Sequence, residues 1–292
     1  MEVNLNSSIH SDFEGYSHLI KLYHEAKASN EKNINFSFCY TKWFEANLSA
    51  VLGAIFELLQ DEGKNVFVSS IKPVIKDVLK RNCFMGEFGE TIRPDSKNTI
   101  VSYKKFNPAA DDAFKNYIKT ELLSKPDFPK HSPLLGKKIN ESIFELYENA
   151  RTHGRCKQIH TCGQYYPNKI PKRLDITIVD MGKTIKANVN EFLNENYTGA
   201  EAIGWALKYG HTTKTGNISG GLGLDIIQEF IKHNNGKIQI ISSDGYWEFR
   251  KGETKMMLFD NLFPGTIANL EFNLDDPNIY QLKEEISLDD IF

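Results

Sequence analysis

Two hydrophobic periods take turns along this chain. Runs in which every second residue is apolar alternate with stretches whose apolar residues recur at helical spacing. Strands and helices that alternate in this way have few compact solutions, and the common one packs helices on a sheet. We therefore expect an α/β (α+β) fold. In the first half, "YSHLIKLYHEAK" reads as a helix and "NINFSFCY" as a strand. A helix follows, capped by Thr41, with Phe44, Leu48, Val51, Leu52, Ile55, Leu58 and Leu59 at helical spacing and Gly63 as its stop. "NVFVSS" is a short apolar strand, and "IKPVIKDVLKRN" a helix with Pro73 in its first turn. "NTIVSYKKF" is another strand, and "PAADDAFKNYIKTELLS" a helix.

The segment 124–136 holds three prolines and few apolar residues, which reads as a linker. The expected plan is a first α/β domain over 1–125, a linker over 126–136, a second domain over 137–274 and an acidic tail over 275–292. The second domain reads as a helix at 135–153 and a strand pair near 157–179. Helices near 188–209 and at 222–234 follow, then strands near 237–250 and 254–273. The tail "DDPNIYQLKEEISLDDIF" reads as a solvated or self-packed end, with "ISLDDIF" the alternative of a short partner-docking motif.

Composition narrows the function classes. A net charge of −3 does not indicate a nucleic-acid surface. No apolar run reaches the roughly 18 residues that a membrane helix needs. "MEVNLNSSIH" has neither the basic residues nor the apolar core of a secretion signal, so the expectation is a cytoplasmic protein. Cys39, Cys83, Cys156 and Cys162 form no CxxC pair and read as reduced thiols. "HGRCKQIHTC" offers His153, Cys156, His160 and Cys162 as a zinc set. It lacks the usual tight ligand pairs, and Gln158, His160, Cys162 and Gln164 alternate as on a strand.

Four short patterns bear on chemistry. In the helix "LLGKKINESIFELYENARTHG", Glu145 and Asn149 are four residues apart and share a face. An amide oxygen there can ligate magnesium while the carboxylate activates a water; a solvated surface pair is the plain alternative. "LDITIVDMGKTI" ends a β-branched strand at Asp180, with Gly182 allowing a tight turn. A strand-end carboxylate can accept a hydrogen bond from an exocyclic amine such as that of adenine, or it is an ordinary turn residue. "NISGGLGLDIIQEFIKHNNG" puts Gly220, Gly221 and Gly223 before a helical stretch, where backbone N–H groups can meet phosphate. "FPGTIANLEF" puts Gly265 and Thr266 at the start of a terminal strand.

In this order and spacing, the four patterns resemble the nucleotide-binding domain of the GHKL superfamily, over roughly residues 131–274. That group includes gyrase, heat-shock chaperones, mismatch-repair ATPases and sensor histidine kinases. The resemblance implies a Bergerat-type α/β sandwich that binds ATP with Mg2+. It assigns Asn149 to magnesium, Glu145 to water activation with Glu148 as a second acid, and Asp180 to adenine with Gly182 beside the base. It assigns Gly221, Leu222, Gly223 and Leu224 to the phosphate loop, 205–219 to a lid carrying Lys214, and Thr266 to the adenine edge. The family turn usually reads D-x-G-x-G, and here Thr184 stands in place of the second glycine. No GxxxxGK[ST] loop is present, so a P-loop enzyme is not the explanation. Residues 33–125 resemble a STAS-like domain more loosely; "WFEANLSA" lacks that family's phosphorylatable D-S-S-G-like turn, and the domain is expected to dock rather than catalyse.

Three activities fit these resemblances. The first is a slow magnesium-dependent ATPase that works as a conformational switch. The second is a serine kinase of the anti-sigma-factor type, and the third a nucleotide-dependent binding module. A protein partner or a homodimer is expected with each. A histidine kinase is not expected, because a strand-containing region stands where the phosphoacceptor hairpin would be.

Overall fold

The computed structural model describes residues 1–154, 156–208, 211 and 225–285, with the side chains of 153 and 154 not described. The first part of the chain runs β1 (Glu2–Asn4), β2 (Ser8–Ile9), α1 (Phe13–Ala28), β3 (Asn33–Ser37), β4 (Trp43–Phe44), α2 (Ser49–Asp61), β5 (Asn65–Ser69) and α3 (Pro73–Arg81). β1, β3 and β5 form a parallel sheet in that order. β2 and β4 make a separate two-residue pairing. Local chemistry sets the helix starts. Asp12 accepts the Gly15 N–H at 2.8 Å to cap α1, and Pro73 takes the first position of α3, where its missing N–H costs nothing.

The rest of the chain runs β6 (Ile100–Phe106), α4 (Asp111–Tyr117), β7 (Lys130–His131), α5 (Pro133–Asn149), β8 (Ile159–Tyr166), β9 (Arg173–Asp180), α6 (Ile185–Leu193), α7 (Gly199–Ala206), α8 (Asp225–Asn234), β10 (Lys237–Arg250), β11 (Glu253–Asn273) and β12 (Ile279–Tyr280). β10, β11, β9, β8 and β6 form an antiparallel sheet in that order. The fold is α/β. Helices α1 and α2 lie between the two sheets, while α4, α5 and α8 cover the far face of the five-stranded one. The side-chain period of two sorts each strand: Leu174, Ile176 and Ile178 face α5 and α8, whereas Asp175, Thr177 and Val179 face α1 and α2.

Several expectations shift. Thr41 does not cap a helix. It is buried, with its hydroxyl 3.5 Å from the Leu5 carbonyl, and α2 starts at Ser49 after a 3-10 turn at Ala46–Leu48. The strand β6 pairs with β8, and α4 packs on α5, so the division between the sheets falls before residue 100, not at 125. The segment 126–136 does not join two separate bodies. Lys130–His131 pairs with Ile279–Tyr280, and Ser132 caps α5, accepting the Leu135 N–H at 3.1 Å. The tail, as far as it is described, is self-packed, one of the two expectations for it: Asn234 donates to Asp276 at 2.8 Å, and Tyr280 packs on Phe230. "ISLDDIF" lies outside the described residues.

The seam between α1/α2 and the five-stranded sheet is partly polar, and sequence reading did not find it. Asn47 donates to Ser11 at 2.8 Å, Thr177 at 2.9 Å and Asn269 at 3.2 Å. Arg173 meets Glu45, with Asp175 at 3.2 Å and Glu271 at 3.5 Å. Lys237 pairs with Glu271 at 3.3 Å and donates to the Ser11 carbonyl at 2.9 Å. Buried polar groups need partners, and this network supplies most of them across the seam, with the Asp175 carboxylate held by its ion pair to Arg173 without a hydrogen bond among the described residues.

Candidate functional site

Antiparallel register builds the first part of the site. Asp180 closes β9, and Thr266 stands directly opposite on β11. The strands can meet there because residue 265 is glycine: a β-carbon would lie 2.0 Å from the Asp180 carbonyl oxygen. The Asp180 carboxylate accepts the Gly182 N–H at 2.9 Å and hydrogen-bonds the Thr266 hydroxyl. Burial raises its pKa to about 7, because the charged form loses more water than these two bonds replace. A carboxylate has roughly four acceptor positions, so capacity remains for an outside donor.

Ser242 braces this corner. It donates to the Gly265 carbonyl at 2.8 Å, accepts the Ile185 N–H at 2.9 Å, and lies 3.2 Å from the Thr266 hydroxyl. The start of α6 is therefore tied to the same point. Thr184 caps α6 by accepting the Ala187 N–H at 3.2 Å. No sequence signal singled out Ser242, since a serine inside a strand becomes legible only when its cross-strand partner is known.

Helix α5 supplies the second part. It ends at Asn149, and the turn Ala150–Gly154 that continues it lies against β9, β11 and α6. The Asn149 side-chain nitrogen is buried without a hydrogen-bond partner. Among the described residues that amide N–H has no acceptor, so it has donor capacity for a further partner. Glu145 stands one turn earlier on the same face and is exposed. Glu148 forms an ion pair with Arg151. Cys156 is buried nearby, and burial together with the Asp180 charge pushes its thiol up to about 12, so it is an inert thiol.

The fold thus joins Asp180, Gly182 and Thr266 in direct contact and sets the Asn149 end of α5 against the same strands. Lys214, Gly221, Leu222, Gly223 and Leu224 lie outside the described residues. Of the expected lid, Trp205 and Ala206 end α7, and His211 packs on Trp205. The zinc set is divided: Cys162 packs in the core on the α2 side of the sheet and Cys156 in the core on the other side. His160 bonds Tyr103 at 2.9 Å and lies 3.3 Å from Glu57.

Searches of protein-family profiles and of curated proteins give no match to this sequence.

Proposed function

We propose that the chain binds adenosine triphosphate with magnesium in the corner formed by Asp180, Thr266 and the end of α5, and hydrolyses it slowly as a conformational switch. The observation that carries this reading is the Asp180 carboxyl: buried, fixed by Gly182 and Thr266, and with acceptor capacity left over. Such a group recognises an amine donor such as that of adenine. Asn149 stands half-buried at the end of α5, where its amide oxygen would be the atom offered to magnesium and its unpartnered nitrogen would donate to a phosphate oxygen. The cation would offset phosphate charge. Glu145, one turn along the same face, would take the proton from a water as that water attacks the terminal phosphorus and the bond to the diphosphate breaks.

The α1/α2 seam gives a switch a physical route. Asn47 and Glu45 bond to Thr177 and Arg173 on β9, the strand that ends at Asp180. Movement at the nucleotide corner would reach the first sheet through that strand. The reading includes a cytoplasmic location and a protein partner. The test is a titration with the magnesium nucleotide, paired with phosphate release. Asp180→Ala should lose binding by ~10-fold or more, the scale of a hydrogen bond to a charged group. Glu145→Ala should keep binding and stop turnover. Equal affinity in wild type and Asp180→Ala would remove the adenine assignment, and wild-type turnover in Glu145→Ala would remove the base.

A further inference from the structure

Four strand edges end the two main sheets, and three of them are protected. β1 is three residues long and carries Glu2; β6 carries Lys104 and Lys105. α7 crosses β10 so closely that a β-carbon on Gly199 would lie 2.3 Å from the Gly245 nitrogen. Short length, charge and covering helices are the ordinary ways of keeping an edge from pairing. Among the described residues, β5 has none of them. It ends its sheet, its five residues Asn-Val-Phe-Val-Ser are uncharged, and Phe67 is 51% exposed. An open concavity of about 500 Å3 runs beside it, lined by Gln60, Gly63, Lys64 and the strand itself.

We infer that β5 pairs antiparallel with β5 of a second copy of this chain, joining two three-stranded sheets into one of six. The sequence of the strand is its own mirror in such a pairing. Centred on Phe67, a two-fold axis sets Val66 opposite Val68 and Asn65 opposite Ser69 of the other copy. The backbone parity fits. Asn65 donates to Lys32 and Ser69 accepts from Phe38, so these positions and Phe67 turn toward β3. The N–H and C=O groups of Val66 and Val68 then face the open edge, where each copy would meet the other's. Phe67 becomes the non-hydrogen-bonded pair, the type with the closest side chains, and its ring lies on the outer face. The axis sets Lys72 of one copy near Glu62 of the other; within the chain Glu62 pairs with Lys27 and Asp61 with Lys157, and Lys64 lies next to the strand, so the flanks are balanced in charge rather than opposed. Lys72 has no ion-pair partner among the described residues. A five-residue contact with these flanks belongs to the small, reversible class of interface.

The test is sedimentation of the whole chain over a concentration series. The expected result is a reversible shift from 33.3 kDa to twice that mass. Phe67→Lys sets two ammonium groups across the axis, and Val68→Pro removes an edge N–H without touching the ladder to β3. Each should leave the circular dichroism spectrum intact and return the chain to monomer at concentrations where wild type is dimeric. In a Cys39→Ser background, Phe67→Cys should cross-link to the doubled mass on mild oxidation and Asn65→Cys should not. A chain that stays monomeric without cross-linking overturns the inference, including if β5 instead accepts a strand from another protein. A dimer indifferent to Phe67→Lys overturns it as well.

Discussion

Asp180 and Glu45 are both buried carboxylates, and their neighbours drive them in opposite directions. Burial moves Asp180 up to about 7 from an ordinary 3.8. Burial acts the same way on Glu45, but His10, Arg173 and the Ser11 N–H outweigh it and hold the group down at about 2. The consequences for pH have opposite signs. The contribution of Asp180 to stability is complete below about 4 and is lost as pH rises through 7. An amine donor favours the ionised form, so nucleotide affinity should rise with pH through about 7 and then level. Calorimetry near pH 6 in buffers of different ionisation enthalpy should detect proton release on binding. Its absence there, with binding intact, would disconnect Asp180 from the ligand. Glu45 stabilises above about 4.5, and that share is lost as pH falls toward 2. Glu45→Ala should cost about 3–5 kcal/mol at neutral pH, because Arg173 loses a buried partner. Urea midpoints at pH 7 and pH 3 should show the loss shrinking in acid; a pH-independent loss would mean packing, not charge, is responsible.

At the scale of elements, the second helix and β11 carry the site's support. α2 buries Val51, Leu52, Ala54, Ile55, Phe56 and Leu59, which cover rather more than half of its circumference. An apolar arc that wide suits a helix packed between two sheets, which is where α2 lies. Its stripe was legible in sequence, but its start was not. Trp43 and Phe44 pair with Ser8 and Ile9 before the helix begins, a contact between residues far apart in the chain. β11 depends on Gly265. Gly265→Ala would drive a methyl group into the Asp180 carbonyl and push β11 from β9 at the corner where Thr266 holds the carboxylate. The expected outcome is a lower melting temperature together with weaker nucleotide binding. A variant that melts and binds like wild type would show that the strands have room to part. The helix and strand readings at 65–69, 73–81, 237–250 and 253–273 lie close to the observed bounds, because each has strong periodicity or a clear stop.

The whole molecule is held by its seam. The five-stranded sheet is buried on both faces, with α1 and α2 on one and α4, α5 and α8 on the other. Removing residues 1–95 would expose Val179, Ile241 and Ile267 together with Asp175, Thr177 and Asn269, whose partners lie in the removed part or in the seam. The remaining fragment should be poorly soluble and bind hydrophobic dyes, and the whole chain should unfold in one cooperative transition. A soluble fragment with its own sharp transition would contradict this, and would restore a plan of two independent domains.

What the amino-acid order determined by itself is local: the alternation of periods that makes the fold α/β, most element positions, and the strand-end Asp180 with Gly182 two residues on. These are read from neighbours within a turn or two, where backbone geometry dictates which residues share a face. Only the tertiary structure decided that β6 belongs to the second sheet, that Ser242 braces Thr266, and that Glu45 reaches Arg173. Those contacts depend on register between distant segments and on the water that burial removes, and neither quantity is written in any one stretch of chain.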